Sequence, residues 1–170
     1  MKATIASILC LLTFACSQAF AAPSEISPKD ASIFFHVDHA MGYTIGYFSD
    51  FSGTVELSDD KMKVLSAKIM VRTASVNTHS PIRDEGLRSA MFLDTEKFPQ
   101  ALYENGSLTI KGITKPLTWT VQEDKVTGKV ILQGSFDRND FGITYNKLLA
   151  QKKKSIGDLI ELSIEIPAVK

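Results

Sequence analysis

From Ser32 to His39 the chain reads Ser-Ile-Phe-Phe-His-Val-Asp-His, which puts Ile33, Phe35, Val37 and His39 on one side of an extended segment and Phe34, His36 and Asp38 on the other. A period of two is the mark of a strand with one dry face and one wet face. Similar alternation runs through 54–57, 67–72, 117–121 and 160–166. Turn residues separate these runs at Ser52-Gly53, Ser58-Asp59-Asp60, Asn105-Gly106, Glu123-Asp124 and Asn139-Asp140. Asn105-Gly106 is the sharpest signal, because a two-residue type I′ turn needs positive φ at both positions and this pair supplies it cheaply. It predicts a hairpin joining Leu102-Tyr103-Glu104 to Ser107-Leu108-Thr109-Ile110.

One stretch departs from the period of two. His-Ser-Pro-Ile-Arg-Asp-Glu-Gly-Leu-Arg-Ser, from His79, offers Ser80 as an N-cap, Pro81 at the first helical position and Asp84 one turn before Arg88. Gly86 weakens it, so the helix is expected to be short. Many antiparallel strands and one short helix predict an all-β sandwich or barrel, with about eight strands if the barrel closes.

The N-terminus changes the length of chain that must fold. Lys2 precedes an apolar run from Ile5 to Ala15, and Ala19-Phe20-Ala21 is a small-x-small site, so residues 1–21 read as a secretory signal peptide cleaved before Ala22. The apolar run falls short of the roughly 20 residues that a membrane-spanning helix needs. A lipidated Cys16 is a rival reading, but Thr13-Phe14-Ala15 is a poor lipoprotein signal. The expected mature domain, residues 22–170, carries neither Cys10 nor Cys16, so it has no disulfide and must be held together by its core.

Charge adds little. The whole chain balances 19 basic against 19 acidic residues, and removing Lys2 leaves a net charge near minus one. That gives no electrostatic case for nucleic acid or an anionic membrane. The run Lys152-Lys153-Lys154 is the one basic cluster and reads as a solvated loop.

A search for chemistry returns little more. His36 and His39, three apart on a strand, point to opposite faces and cannot share a metal ion. Asp137-Arg138-Asn139-Asp140-Phe141-Gly142 lacks the spacing of a calcium loop. Neither a nucleophile elbow nor a phosphate or dinucleotide loop occurs. Arg83 and Asp84 diverge by about 100° on a helix, so they are expected to solubilise it, with Asp84 paired to Arg88 and Arg83 tied to a loop carbonyl. No catalytic residue, metal site or cofactor is assigned. What remains is apolar and aromatic, and the spacing leaves open whether those side chains fill a core or line a tunnel.

Several short motifs in order carry a family resemblance. They are Ile26-Ser27-Pro28, then Ser32-Ile33-x-Phe35-x-Val37-x-His39, Gly46-x-Phe48-x-x-Phe51-x-Gly53 and Ala74-Ser75-Val76-Asn77-Thr78. Arg83-Asp84-x-x-Leu87-Arg88-Ser89 with Phe92, Lys97-Phe98-Pro99, the stretch from Leu108 to Pro116, and Asp137-Arg138-x-Asp140-Phe141-Gly142 complete the series. On these the chain resembles the YceI-like family of secreted, lipocalin-like proteins.

The resemblance implies an antiparallel β-barrel in the periplasm, non-enzymatic, around a tunnel for a polyisoprenoid, an isoprenoid quinone or a fatty-acid-like lipid. Ile33, Phe35, Val37, Phe48, Phe51 and Val71 would then line the tunnel from the strands, with Leu87 and Phe92 near the helix and Trp119, Phe136 and Phe141 from the later segments. His39 is the candidate polar contact, while Arg83 and Asp84 would anchor the helix at the barrel's end. The alternative is an envelope interaction module with a filled core, and a homodimer or an envelope protein is a possible partner for either.

Two departures bear on the ligand. Gly86 and Met91 stand where the family often has a His and an acidic residue. The hairpin after Phe98-Pro99 is also about a dozen residues shorter than usual, which at about 3.3 Å per residue removes roughly 20 Å of paired strand. A shorter or laterally open barrel is expected, taking a smaller ligand or a partner along its exposed edge.

Overall fold

The alternating residues of 32–39 form the central strand of a sheet in the computed structural model, which describes residues 23–145 and 156–167. The expected signal peptide and the Lys152-Lys153-Lys154 run lie outside the described residues. In chain order the elements are β1 Ser24–Ile26, β2 Ser32–His39, β3 Gly42–Phe48, β4 Phe51–Leu57, β5 Val64–Arg72, β6 Val76–Asn77 and α1 Pro81–Arg88. There follow β7 Gln100–Glu104, β8 Ser107–Ile110, β9 Ile113–Pro116, β10 Thr120–Glu123, β11 Val130–Asp137 and β12 Ile156–Ile166.

Two antiparallel sheets face each other, one in the order β1-β4-β5-β7-β8-β9 and the other β10-β11-β12-β2-β3-β6. The all-β, lipocalin-like class holds, but twelve described strands replace the expected eight or so. The extra ones are short: β6 has two residues and β1 three, lengths at which alternation leaves no trace in a sequence. The stretch 117–121, which alternates as one strand would, is divided. Leu117–Trp119 crosses from one sheet to the other, and pairing starts only at Thr120.

Asn105 and Gly106 take φ of 44° and 90° and connect Glu104 to Ser107, the predicted tight turn. The turn also extends the sheet, since Asn105 N–H donates to the Ala67 carbonyl and Asn105 Oδ1 accepts from Ala67 N–H. β7 and β8 are only five and four residues long beside the nine of β5.

The helix starts at Pro81 as predicted, but the Ser80 side chain makes no capping bond. The expected Asp84–Arg88 pair does not form. Buried Asp84 accepts through Oδ1 from Thr78 N–H at 2.8 Å and Thr78 Oγ1 at 2.6 Å, and Arg88 donates to the carbonyls of Ala74 and Val76. Both residues therefore tie α1 back to β6 and its flanks, where unpaired backbone groups outcompete a solvated ion pair. An Asp84→Ala substitution leaves the Thr78 donors buried without an acceptor. It is expected to lower stability by about 2–3 kcal/mol, with hydrogen exchange in α1 accelerating more than in β2.

A candidate apolar chain-binding cavity

The inner faces of the sheets enclose a cavity of about 580 Å³ that is partly open to solvent. The register of β2 explains its depth. Ile33, Phe35, Val37 and His39 all line it, and the six steps from Ile33 to His39 span roughly 20 Å. Across the ladder, Ile164 stands opposite Ile33, Leu162 opposite Phe35, and Ile160 opposite Val37, and all three also line the cavity. Below Ile33 the space closes, because Val55, Ala67, Val130, Leu132 and Ile166 are all 2% exposed or less and meet in a packed layer.

Two glycines on the sheet make room in the middle. A Cβ built on Gly46 would stand 2.2 Å from Cζ of Phe35, and one on Gly134 would stand 3.0 Å from the Trp119 ring. The Phe35 and Trp119 rings therefore lie across bare backbone and not out in the lumen. Trp119 also packs edge-on against Tyr103, with ring centroids 5.3 Å apart.

Of the residues predicted to line a tunnel, Phe48 and Val71 do so from the two sheets, Leu87 from α1, Phe92 from the segment after it, and Trp119 and Phe136 from the later part of the chain. Phe51 and Phe141 do not. Phe51 is buried in the core beside its register partner Val71, and Phe141 stands behind Phe136, edge-on at 5.1 Å and 1% exposed. Both rings back the wall and leave its surface to their neighbours.

Polar groups are few. His39 lines the cavity, and its Nδ1 accepts from Met41 N–H at 3.4 Å. The pairing of His36 with Asp38 at 3.1 Å and its stacking on Tyr43 confirm that the two histidines face opposite ways. Trp119 Nε1 is buried with no hydrogen-bond partner among the described residues. Arg83 lines the cavity from α1 and has no partner among the described residues, contrary to the expected loop carbonyl.

Arg138 is the structural residue that sequence reasoning missed. It is 4% exposed and borders the cavity. Its guanidinium donates to the carbonyls of Ile143, Gly157 and Ile156 at 2.6, 2.8 and 3.3 Å, and to Asp158 Oδ1 at 3.2 Å. It thereby pins the start of β12, just before the register shift between Ile156 and Ile160, to the short 3₁₀ turn Arg138–Phe141. The available signal is the Asp-Arg-x-Asp-Phe-Gly motif, whose acidic residues draw attention to calcium and away from the arginine between them. Among the described residues no cluster of three or more His, Cys, Asp or Glu could hold a metal.

Two facing antiparallel sheets, a closed floor, an apolar wall and a helix beside the opening define a lipocalin-like container. The chain belongs to the YceI-like family, whose domain matches residues 25–168. A UPF0312 protein of Yersinia pestis (strain Pestoides F) is 33% identical over 135 residues, covering 69% of this chain and 68% of that one. A UPF0312 protein of Shewanella baltica is 41% identical over 104 residues, covering 51% and 53%.

Among solved structures, Burkholderia cenocepacia BcnA superposes with a TM-score of 0.67 at 18% identity, over 83% of this chain and 98% of its own. A polyisoprenoid binding domain from Saccharophagus degradans, implicated in plant cell wall breakdown, gives 0.61 at 14% identity, over 85% and 96%. The Campylobacter jejuni YceI protein gives 0.53 at 25% identity, over 71% and 81%. No described helix is long and apolar enough to cross a membrane.

Proposed function

We propose that this protein binds one long apolar or amphiphilic chain, prenyl or acyl, and carries or buffers it in the periplasm without catalysing a reaction. The observation that carries this reading is the 580 Å³ cavity, walled by alternate residues of successive strands and partly open to solvent. Pockets of this size and polarity suit small apolar ligands. At about 30 Å³ for each water-sized group, the space holds about 19 such groups, a chain of roughly four isoprene units. A longer polyisoprenoid would protrude from the mouth.

Burying methylenes contributes about 0.8 kcal/mol each, so a filled cavity supplies on the order of 15 kcal/mol before the entropy of ordering the chain is subtracted. The same quantity opposes release of the chain into water. A filled-core interaction module fits less well, because its inner side chains would have to meet where the cavity lies.

Native mass spectrometry and organic extraction of protein purified from its own host are expected to return a single-chain lipid at about one per protein. Protein with no copurifying lipid, and no affinity for prenyl or acyl chains on titration, would refute the proposal.

A further inference from the structure

We infer that the bound chain carries a small oxygen head, a hydroxyl or a carboxyl, and that Thr44 on β3 holds this head while the tail lies toward Ile33. This specifies the ligand of the chain-binding reading above and rests on that reading. Five polar or charged residues are buried among the described ones: Thr44, Thr73, Thr78, Asp84 and Arg138. Four of them are tied down. Thr73 donates to the Phe98 carbonyl, Thr78 donates to Asp84, and Arg138 holds three carbonyls and Asp158. Thr44 is 6% exposed, and its side chain has no hydrogen bond to any described residue. Buried polar groups are paired almost without exception, so this one calls for a partner that the chain does not supply. Valine has the same shape and suits a strand as well, so neither packing nor the sheet requires the hydroxyl.

Thr44 lines the cavity, and its oxygen is not sealed in, since Trp119 Nε1 is the one fully enclosed side-chain polar atom without a partner among the described residues. Its register partner Val37 also lines the cavity, four strand steps or roughly 13 Å from Ile33 at the closed floor. His39 is the diagonal neighbour on the same face, about 7–8 Å away across the ladder. Its Nδ1 meets Met41 N–H, and its Nε2 has no partner among the described residues. A hydroxyl and an imidazole nitrogen therefore share one stretch of wall. Between them and the floor, Phe35, Leu162 and Ile164 offer only apolar surface.

A buried water needs about three polar partners. Beside Thr44 the wall offers His39, then Val37 and the Phe35 ring lying over Gly46. A single oxygen at the end of a hydrocarbon chain meets both demands, because its carbons cover the apolar surroundings while the oxygen takes the hydroxyl. Charge does not set the head. Arg83 lines the cavity, but exposed Glu85 shares α1 with it and exposed Asp38 adjoins His39. Recognition is by hydrogen bonding.

The experiment loads the purified whole chain with diphenylhexatriene, a fluorescent hydrocarbon without oxygen, and displaces it with dodecan-1-ol and with dodecanoic acid. Trp119, the only tryptophan of the chain, lines the cavity and gives a second reading of alcohol and acid binding. Thr44→Val keeps the shape and removes the hydroxyl, and Thr44→Ser keeps the hydroxyl. Thr44→Val is expected to hold the hydrocarbon as well as wild type does and to bind the alcohol and the acid about three- to tenfold more weakly, the loss that one neutral hydrogen bond implies. Thr44→Ser is expected to restore most of that loss.

An effect on the alcohol alone or the acid alone also supports the assignment and says which head Thr44 takes. Unchanged displacement in Thr44→Val, or an equal weakening for hydrocarbon, alcohol and acid, overturns it while leaving chain binding intact. If wild type takes up none of the three, the chain-binding reading fails, and the head site fails with it.

Discussion

An Arg138→Met variant is expected to unfold in urea with about 3–5 kcal/mol less stability than wild type, the loss typical when one partner of a buried charged network is removed. The reason lies in what Arg138 holds. Four hydrogen bonds converge on the guanidinium from carbonyls at both ends of the connection between β11 and β12 and from Asp158. Methionine fills similar volume but donates nothing, so the carbonyls of Ile143, Ile156 and Gly157 lose the guanidinium's hydrogen bonds and Asp158 loses its pairing with it. Lysine would restore a charge without the planar fork that reaches several acceptors at once, so Arg138→Lys should recover only part of the loss. Equal midpoints for wild type and Arg138→Met, at equal slope in denaturant, would contradict this account.

The second large effect falls on binding. Gly46→Val should reduce affinity for a prenyl or acyl probe by tenfold or more while the sheet still forms. The first added carbon already meets the Phe35 ring at 2.2 and 2.5 Å and Thr78 Cγ2 at 2.9 Å. The backbone at Gly46 is ordinary strand, so the collision is relieved by swinging the ring off the sheet, and the lumen is where it has room to go. Gly86→Ala is the control. Gly86 also borders the cavity, but a Cβ there meets nothing within 4 Å, so binding should hold while α1 gains about 0.5–1 kcal/mol of stability. Displacement titrations of the two variants with one fluorescent chain compare them directly. Unchanged affinity in Gly46→Val would mean that the middle of the cavity is not where a chain lies.

Much of the wall was legible in the order of residues. The alternation of 33–39 placed four residues on the cavity side because a strand's geometry permits no other arrangement. Asn105-Gly106 announced its turn because few dipeptides accept positive φ twice in succession. Pro81 marked the first turn of α1 for a similar local reason.

The misreadings share a cause, since each turned on a contact outside the residue's own element. Asp84 and Arg88 are neighbours on a helix and have the charges of a pair, yet each found a backbone group on the preceding strand segment. Phe51 and Phe141 have the right residue type and lie next to true wall residues. Depth behind the wall, which no periodicity encodes, removed them from it.

By itself, then, the sequence determined an antiparallel β protein, which faces of its strands are apolar, where its sharpest hairpin turns, and the family to which it belongs. Those are properties of neighbours, expressed through backbone sterics and the period of the strand. Tertiary structure alone decided that the apolar faces stand apart around a void, that bare glycines hold two aromatic rings against the sheet, and that a buried arginine closes the return to the last strand. These depend on the distance between two sheets and on what lies across the gap, which side chains set collectively and no local pattern records.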